Sequence, residues 1–174
     1  MSEKNYKDVL DKGGDISAKV QAQRETLKDE FKKLGDAYAE FIKEKFNIRM
    51  TAEVSGVPLS PTLASAGFVD SGIVMLTLSA EVAKEKKIVV LTCAFAEGGA
   101  YPCEIDTETE PKICKTFTAV QSALADICKT KSVNIYQEAE RIKAVIEKEG
   151  INSLPMTNES PVPNDDAGNA SGPL

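Results

Sequence analysis

The sequence predicts an α+β fold: a long N-terminal helix packed on a four-stranded antiparallel sheet, followed by two C-terminal helices and a disordered tail. Three observations lead there. A helical apolar stripe runs from about Asp15 to Asn47, with Leu27, Phe31, Leu34, Tyr38 and Phe41 at steps of four, three, four and three. The period then changes to two over residues 49–105, and returns to helical after Lys115. Strands grouped together, with helices before and after them, indicate an antiparallel sheet rather than a doubly wound parallel one.

Residues 3–12 are expected to form a short helical turn with Tyr6, Val9 and Leu10 on one side, interrupted by Gly13-Gly14. Residues 1–14 are therefore read as an N-terminal segment preceding a single domain over 15–150. Asp15 stands where an N-cap would accept from the first free amides of the long helix. Asp29–Lys33 and Glu40–Lys43 are expected to pair along its outer face, and Asn47 to stop it. A helix of this length offers more apolar face than a short core needs, so it is expected to cover the sheet. Arg24 interrupts the seam, so Leu27–Phe41 is expected to pack inside while Ile16–Gln23 projects.

Arg49–Ser55 alternates as a half-buried strand, with Met50, Ala52 and Val54 on one side. Residues 57–72 hold two prolines and two glycines and read as a long loop. Ile73–Val82 and Lys87–Ala96 are apolar on both faces, which predicts central strands joined by a hairpin at Ala83–Lys86. Gly98-Gly99 marks a turn. Tyr101–Ile105 is a short fourth strand, placed at an edge because Pro102 has no N–H to donate.

Thr118 and Gln121 have the spacing of a capping box. Val120, Ala123, Leu124, Ile127 and Cys128 then recur on one helical face. A second helix, from about Asn134 to Glu149, carries Ile135, Ala139, Ile142 and Ile146 and stops at Gly150. Residues 151–174 are rich in Asn, Ser, Pro, Gly and Asp and are read as the disordered tail.

Function is read first through what is missing. There is no histidine, which removes Ser-His-Asp and Cys-His catalysis and all histidine metal ligation. The chain has neither a G-x-G-x-x-G fingerprint nor a phosphate-cradling loop with a terminal lysine, so nucleotide binding has no support. The net charge of -6 counts against sequence-independent nucleic-acid binding, which needs clustered cations, and against an anionic membrane surface. The N-terminus lacks the apolar core of a signal peptide, and no run approaches a membrane span. A cytoplasmic protein with reduced thiols is the expectation.

Few residues suggest chemistry. Glu104, Asp106, Glu108 and Glu110 alternate as a hard-cation site would, and equally as a charged edge that blocks strand-to-strand aggregation. Cys93 and Cys128 read as small buried hydrophobes. Cys103 and Cys114 flank the acidic run, where a disulfide is sterically allowed. Cys114, between Lys112 and Lys115, is the thiol named for reactivity if any is reactive. Asp70-Ser71-Gly72 is a turn rather than a nucleophile elbow. No catalytic residue, metal ligand or cofactor is assigned.

The expected function is therefore that of a non-enzymatic protein–protein interaction factor: an inhibitor, immunity-like factor or adaptor of the kind found among bacterial and phage accessory proteins. Its partner would be another protein, with at most weak homodimerisation through the helix seam. Partner contacts are assigned to Gln23 and Arg24 on the projecting helix and to Leu59, Leu63, Phe68 and Val69 in the loop. A nucleic-acid mimic and a histidine-independent enzyme are the alternatives. In size, acidity and helix–sheet–helix order, residues 15–149 also resemble class I type III secretion chaperones. That resemblance implies a dimer holding unfolded effectors. Those chaperones place a helix between groups of strands, whereas here all four predicted strands precede both terminal helices.

Overall fold

A computed structural model describes residues 4–57, 72–107 and 110–150. The elements are α1 (Lys4–Phe46), β1 (Met50–Gly56), β2 (Ile73–Ala80), β3 (Ala83–Phe95), β4 (Cys103–Ile105), β5 (Lys112–Cys114), α2 (Phe117–Thr130) and α3 (Ser132–Lys148). The strands form one antiparallel sheet in the order β1-β2-β3-β4-β5. The α+β class and the helix–sheet–helix order are as expected, with five strands rather than four. The loop expected over 57–72 lies largely, and the tail over 151–174 entirely, outside the described residues.

The first helix runs unbroken through Gly13-Gly14, so Asp15 is an interior residue and not an N-cap. Each glycine costs about 1 kcal/mol relative to alanine. That penalty is small beside nucleating a second helix, because extending an existing one needs no new nucleus. Leu27, Phe31, Leu34, Tyr38, Ile42 and Phe46 are buried, while Phe41 is only partly so. The stripe steps by four at its C-terminal end because a straight helix of 3.6 residues per turn drifts away from a strict 3.5 repeat. Asn47 adopts a left-handed φ of 57° and its N–H donates to Lys43 O at 2.9 Å, closing the helix. On the outer face Lys33 pairs with Glu30 at 2.5 Å rather than with Asp29.

Met50 and Ala52 point into the core, and Thr51 and Glu53 into solvent. The β2–β3 link is Glu81-Val82, tighter than the expected Ala83–Lys86. Those residues belong to β3, where Lys84–Lys86 form an irregular excursion between the Ser79–Lys87 and Ala80–Ala83 pairs. A second register shift, between Leu76 and Thr77, leaves Val90 as an extra residue on β3. This bulge lets consecutive Val90 and Leu91 both be buried and leaves Val89 exposed. The expected edge position of the fourth strand is not found. Pro102 lies one residue outside β4, so β4 can pair on both sides, and β5 takes the edge.

The helices join one another over the sheet. Tyr38 Oη donates to Ile127 O at 3.3 Å, tying α1 to α2. The Phe46 and Tyr136 rings meet edge-on with centroids 4.7 Å apart, tying α1 to α3. Thr116, not Thr118, caps α2, accepting from Ala119 N at 3.2 Å. The expected stripes on α2 and α3 are buried except for Cys128, which is exposed just past the buried arc. Gly150, with φ of 65°, terminates α3.

The closest approach of helix to sheet is at Gly35. A Cβ there would stand 2.7 Å from Ala52 Cβ and 2.7 Å from Leu76 Cδ1. Leu76 could rotate away, but Ala52 Cβ is fixed to the strand backbone. Gly35→Ala should therefore destabilise the protein by about 1–3 kcal/mol, the cost of overpacking exceeding the ~1 kcal/mol gain in helix propensity. Urea denaturation measures the balance. In contrast, a Cβ at Gly13 or Gly14 meets nothing within 4 Å. Gly13→Ala/Gly14→Ala should raise amide-exchange protection over residues 6–20, each alanine favouring the helix by about 1 kcal/mol.

Candidate functional site

Helix α1 is longer than the sheet can cover. Its 43 residues span about 64 Å, while the seven residues of β1 span about 23 Å. The chain reverses after Phe46, so β1 runs back along the helix. Gly72, just before β2, and Phe95, the end of β3, share a recess with α1 residues between Gly13 and Arg24. Tyr6, Val9, Leu10 and Ile16 are 64%, 63%, 74% and 63% exposed. They make up half of the large exposed hydrophobic side chains among the described residues. Val20 is half-buried, and Leu27 is the first residue of the stripe to be fully covered.

Beneath this arm lies a recess of about 620 Å³, bounded by Ile16, Val20 and Arg24 above and by Gly72, Phe95 and Gly98 below. Arg24 closes its inner end. Its Nε and Nη2 donate to Gly99 O at 3.0 and 2.9 Å, and Nη2 also reaches Ala96 O at 3.3 Å. Its guanidinium carbon lies 5.0 Å from the Phe95 ring centroid. The planar fork thus satisfies carbonyls of the β3–β4 turn while stacking on an aromatic face. Gly98, with φ of 67°, provides a turn conformation that L side chains rarely adopt.

Of the residues assigned to partner contact, Gln23 is exposed and is not among the residues that line the recess. Arg24 is half-buried and holds the protein's own turn. Leu59, Leu63, Phe68 and Val69 lie outside the described residues. Among the described residues, Val57 N donates to Ile73 O at 2.9 Å, and Phe95 N to Gly72 O at 2.7 Å. The residues that sequence reasoning did not assign to contact are Tyr6, Val9, Leu10 and Ile16. Their spacing was visible, but the supposed break at Gly13-Gly14 separated the first three from the long seam.

Glu104, Asp106 and Glu110 are exposed, Glu108 is outside the described residues, and among those described no group of three or more suitable side chains could hold a metal ion. Thr107 and Glu110 close the turn instead, with Thr107 Oγ1 donating to Glu110 O at 2.5 Å. Lys112 pairs with Asp126 of α2 and holds its carboxyl below the usual range.

Cys93, Cys103 and Cys114 converge in the core, each at most 2% exposed. Burial pushes the Cys114 thiol up, outweighing the charge of Lys112. Cys93 is raised as well, by its hydrogen bond to Cys103 and by burial. Neither is an activated nucleophile. Cys103 is shifted the other way, chiefly by its hydrogen bond with Cys93.

No family model matches this chain, and no curated protein or solved structure shows significant similarity to it. Among the described residues, no helix is long and apolar enough to cross a membrane.

The Arg24 clamp is testable. Arg24→Met keeps the stem and removes the donors, and should cost about 1–2 kcal/mol in urea denaturation. Arg24→Lys should recover only part of this, because an ammonium cannot reproduce the planar fork. Equal stability of all three proteins would show that the clamp contributes nothing.

Proposed function

We propose that this chain is a non-enzymatic protein–protein interaction factor whose contact element is the N-terminal arm of α1. The observation that carries this reading is the exposure of Tyr6, Val9, Leu10 and Ile16 on a helix whose stripe is buried further along. An apolar face of this kind, rimmed by polar residues, marks an interaction surface. Burying the exposed parts of these four side chains is worth about 4–8 kcal/mol gross. Association costs about 4–15 kcal/mol, so the arm favours a modest affinity unless neighbouring surface joins in. The partner is a protein presenting an apolar groove or helix face of low net charge. The arm's own charges, Lys7, Asp11, Lys12, Asp15 and Lys19, are mixed in sign. An inhibitor, immunity-like or adaptor role in the cytoplasm belongs to the same reading.

The alternatives draw less support. A nucleic-acid mimic requires a contiguous acidic stripe, but Glu25, Glu30 and Asp36 are each paired with a lysine on the outer face of α1. A thiol enzyme requires an accessible thiolate, but three of the four sulfurs are buried. The resemblance to secretion chaperones is weakened by an order in which all five strands precede α2 and α3.

Leu10→Glu/Ile16→Glu disrupts the arm without touching the core. Photo-crosslinking from position 13 in the native host should capture one predominant protein with the wild type. The double variant should lose it at least tenfold, with circular dichroism unchanged. A Thr51→Lys control on the open sheet face should retain it. Capture that is equal in the double variant, or absent from the wild type, would overturn the arm as the contact element.

A further inference from the structure

We propose that Cys103 and Cys114 form a redox modification site, a cross-strand dithiol that a small peroxide converts to a disulfide stapling β4 to β5. The register carries this inference. Cys103 and Cys114 are direct partners across the β4–β5 pair. Opposed residues in antiparallel strands have Cα atoms about 4.5 or 5.5 Å apart, and both distances fall within the ~4.4–6.8 Å that a disulfide spans. The register therefore sets the two residues at a separation that a disulfide can span.

The surroundings assign the roles. On β3, Cys93 lies opposite Ile105 and Phe95 opposite Cys103, so Cys93 is the diagonal neighbour of Cys103 on the same face. Cys103 is central to the cluster. Its thiol is shifted down, chiefly by its hydrogen bond with Cys93, while those of Cys93 and Cys114 are shifted up, which favours its thiolate over theirs. Cys114 sits on the three-residue edge strand. A short edge strand opens locally at lower free energy than the core strands. Peroxide is also small enough to enter where a bulky disulfide is not.

The chemistry balances without a further reactant. The Cys103 thiolate attacks one oxygen of hydrogen peroxide, breaking the O–O bond and forming a sulfenic acid with release of hydroxide. That hydroxide takes the proton of Cys114. The Cys114 thiolate then attacks the Cys103 sulfur, forming the S–S bond and breaking S–OH, and the departing hydroxide is protonated to water. Two thiols lose two electrons in all, and one peroxide becomes two waters. Cys128, on α2, is the one exposed cysteine.

The test uses the full chain in a Cys128→Ser background, which removes intermolecular coupling. Native protein is treated with millimolar hydrogen peroxide, quenched with catalase, alkylated in denaturant and digested with trypsin. Cys93 and Cys103 fall in the peptide 88–112, and Cys114 in 113–115. The expected product is these two peptides joined, with fragmentation between Cys93 and Cys103 placing the bond on Cys103. The oxidised protein should unfold at a higher urea midpoint, and dithiothreitol should reverse both changes. Cys93→Ala should leave the joined peptide in place. Full alkylation of all three cysteines after peroxide would overturn the proposal. So would a bond within 88–112 or one from Cys93 to Cys114.

Discussion

Everything in this fold depends on the seam between α1 and the first hairpin. Leu27, Phe31, Leu34, Tyr38, Ile42 and Phe46 are buried along α1, and at position 35, which has no side chain, the helix closes on Ala52 of β1 and Leu76 of β2. With Gly35 against Ala52 and Leu76, Phe31 and Leu27 are wholly enclosed. Helix propensity alone would place alanine at position 35. Packing against an immovable strand backbone outweighs it. The same helix supplies Tyr38 to α2 and Phe46 to α3, so the C-terminal pair is positioned through α1 as well as through the sheet.

The projecting arm follows from that arrangement. A 43-residue helix cannot be covered by strands of seven and eight residues running alongside it. The uncovered end still carries the apolar rhythm of the covered one. At the point where cover ends, Arg24 turns its charge inward onto the carbonyls of Ala96 and Gly99. A residue that interrupts a hydrophobic stripe is thus a structural clamp here. It marks the boundary between the half of α1 that holds the fold together and the half that faces outward.

Much of the architecture was legible because it rests on periodicity. The seam of α1, the inward side of β1 and the stripes on α2 and α3 each repeat one spacing over several turns or residues. The places that were misread are those where a local signal met a tertiary constraint. Gly13-Gly14 is a breaker by propensity, but it lies where an existing helix extends without a new nucleus. Pro102 excludes itself from a ladder without excluding Cys103–Ile105. Thr118 has a capping-box partner in sequence, yet the helix begins two residues earlier at Thr116. Cys128 follows the apolar rhythm of α2 but falls just past the arc that meets the core. The exposed arm of α1 was legible only in part. The stripe was visible, but which stretch of it stays uncovered depends on strand length and direction.

By itself, the sequence determined the class of fold, the order of its elements and the absence of histidine chemistry, since these follow from residue type and local spacing. The tertiary structure alone decided three further things. It set where along α1 the cover ends, because that depends on how far β1 to β3 reach. It turned Arg24 inward, because the β3–β4 turn brings two carbonyls to that point. It gathered Cys93, Cys103 and Cys114 into one cluster, because only the register of three strands makes neighbours of residues so far apart in the chain.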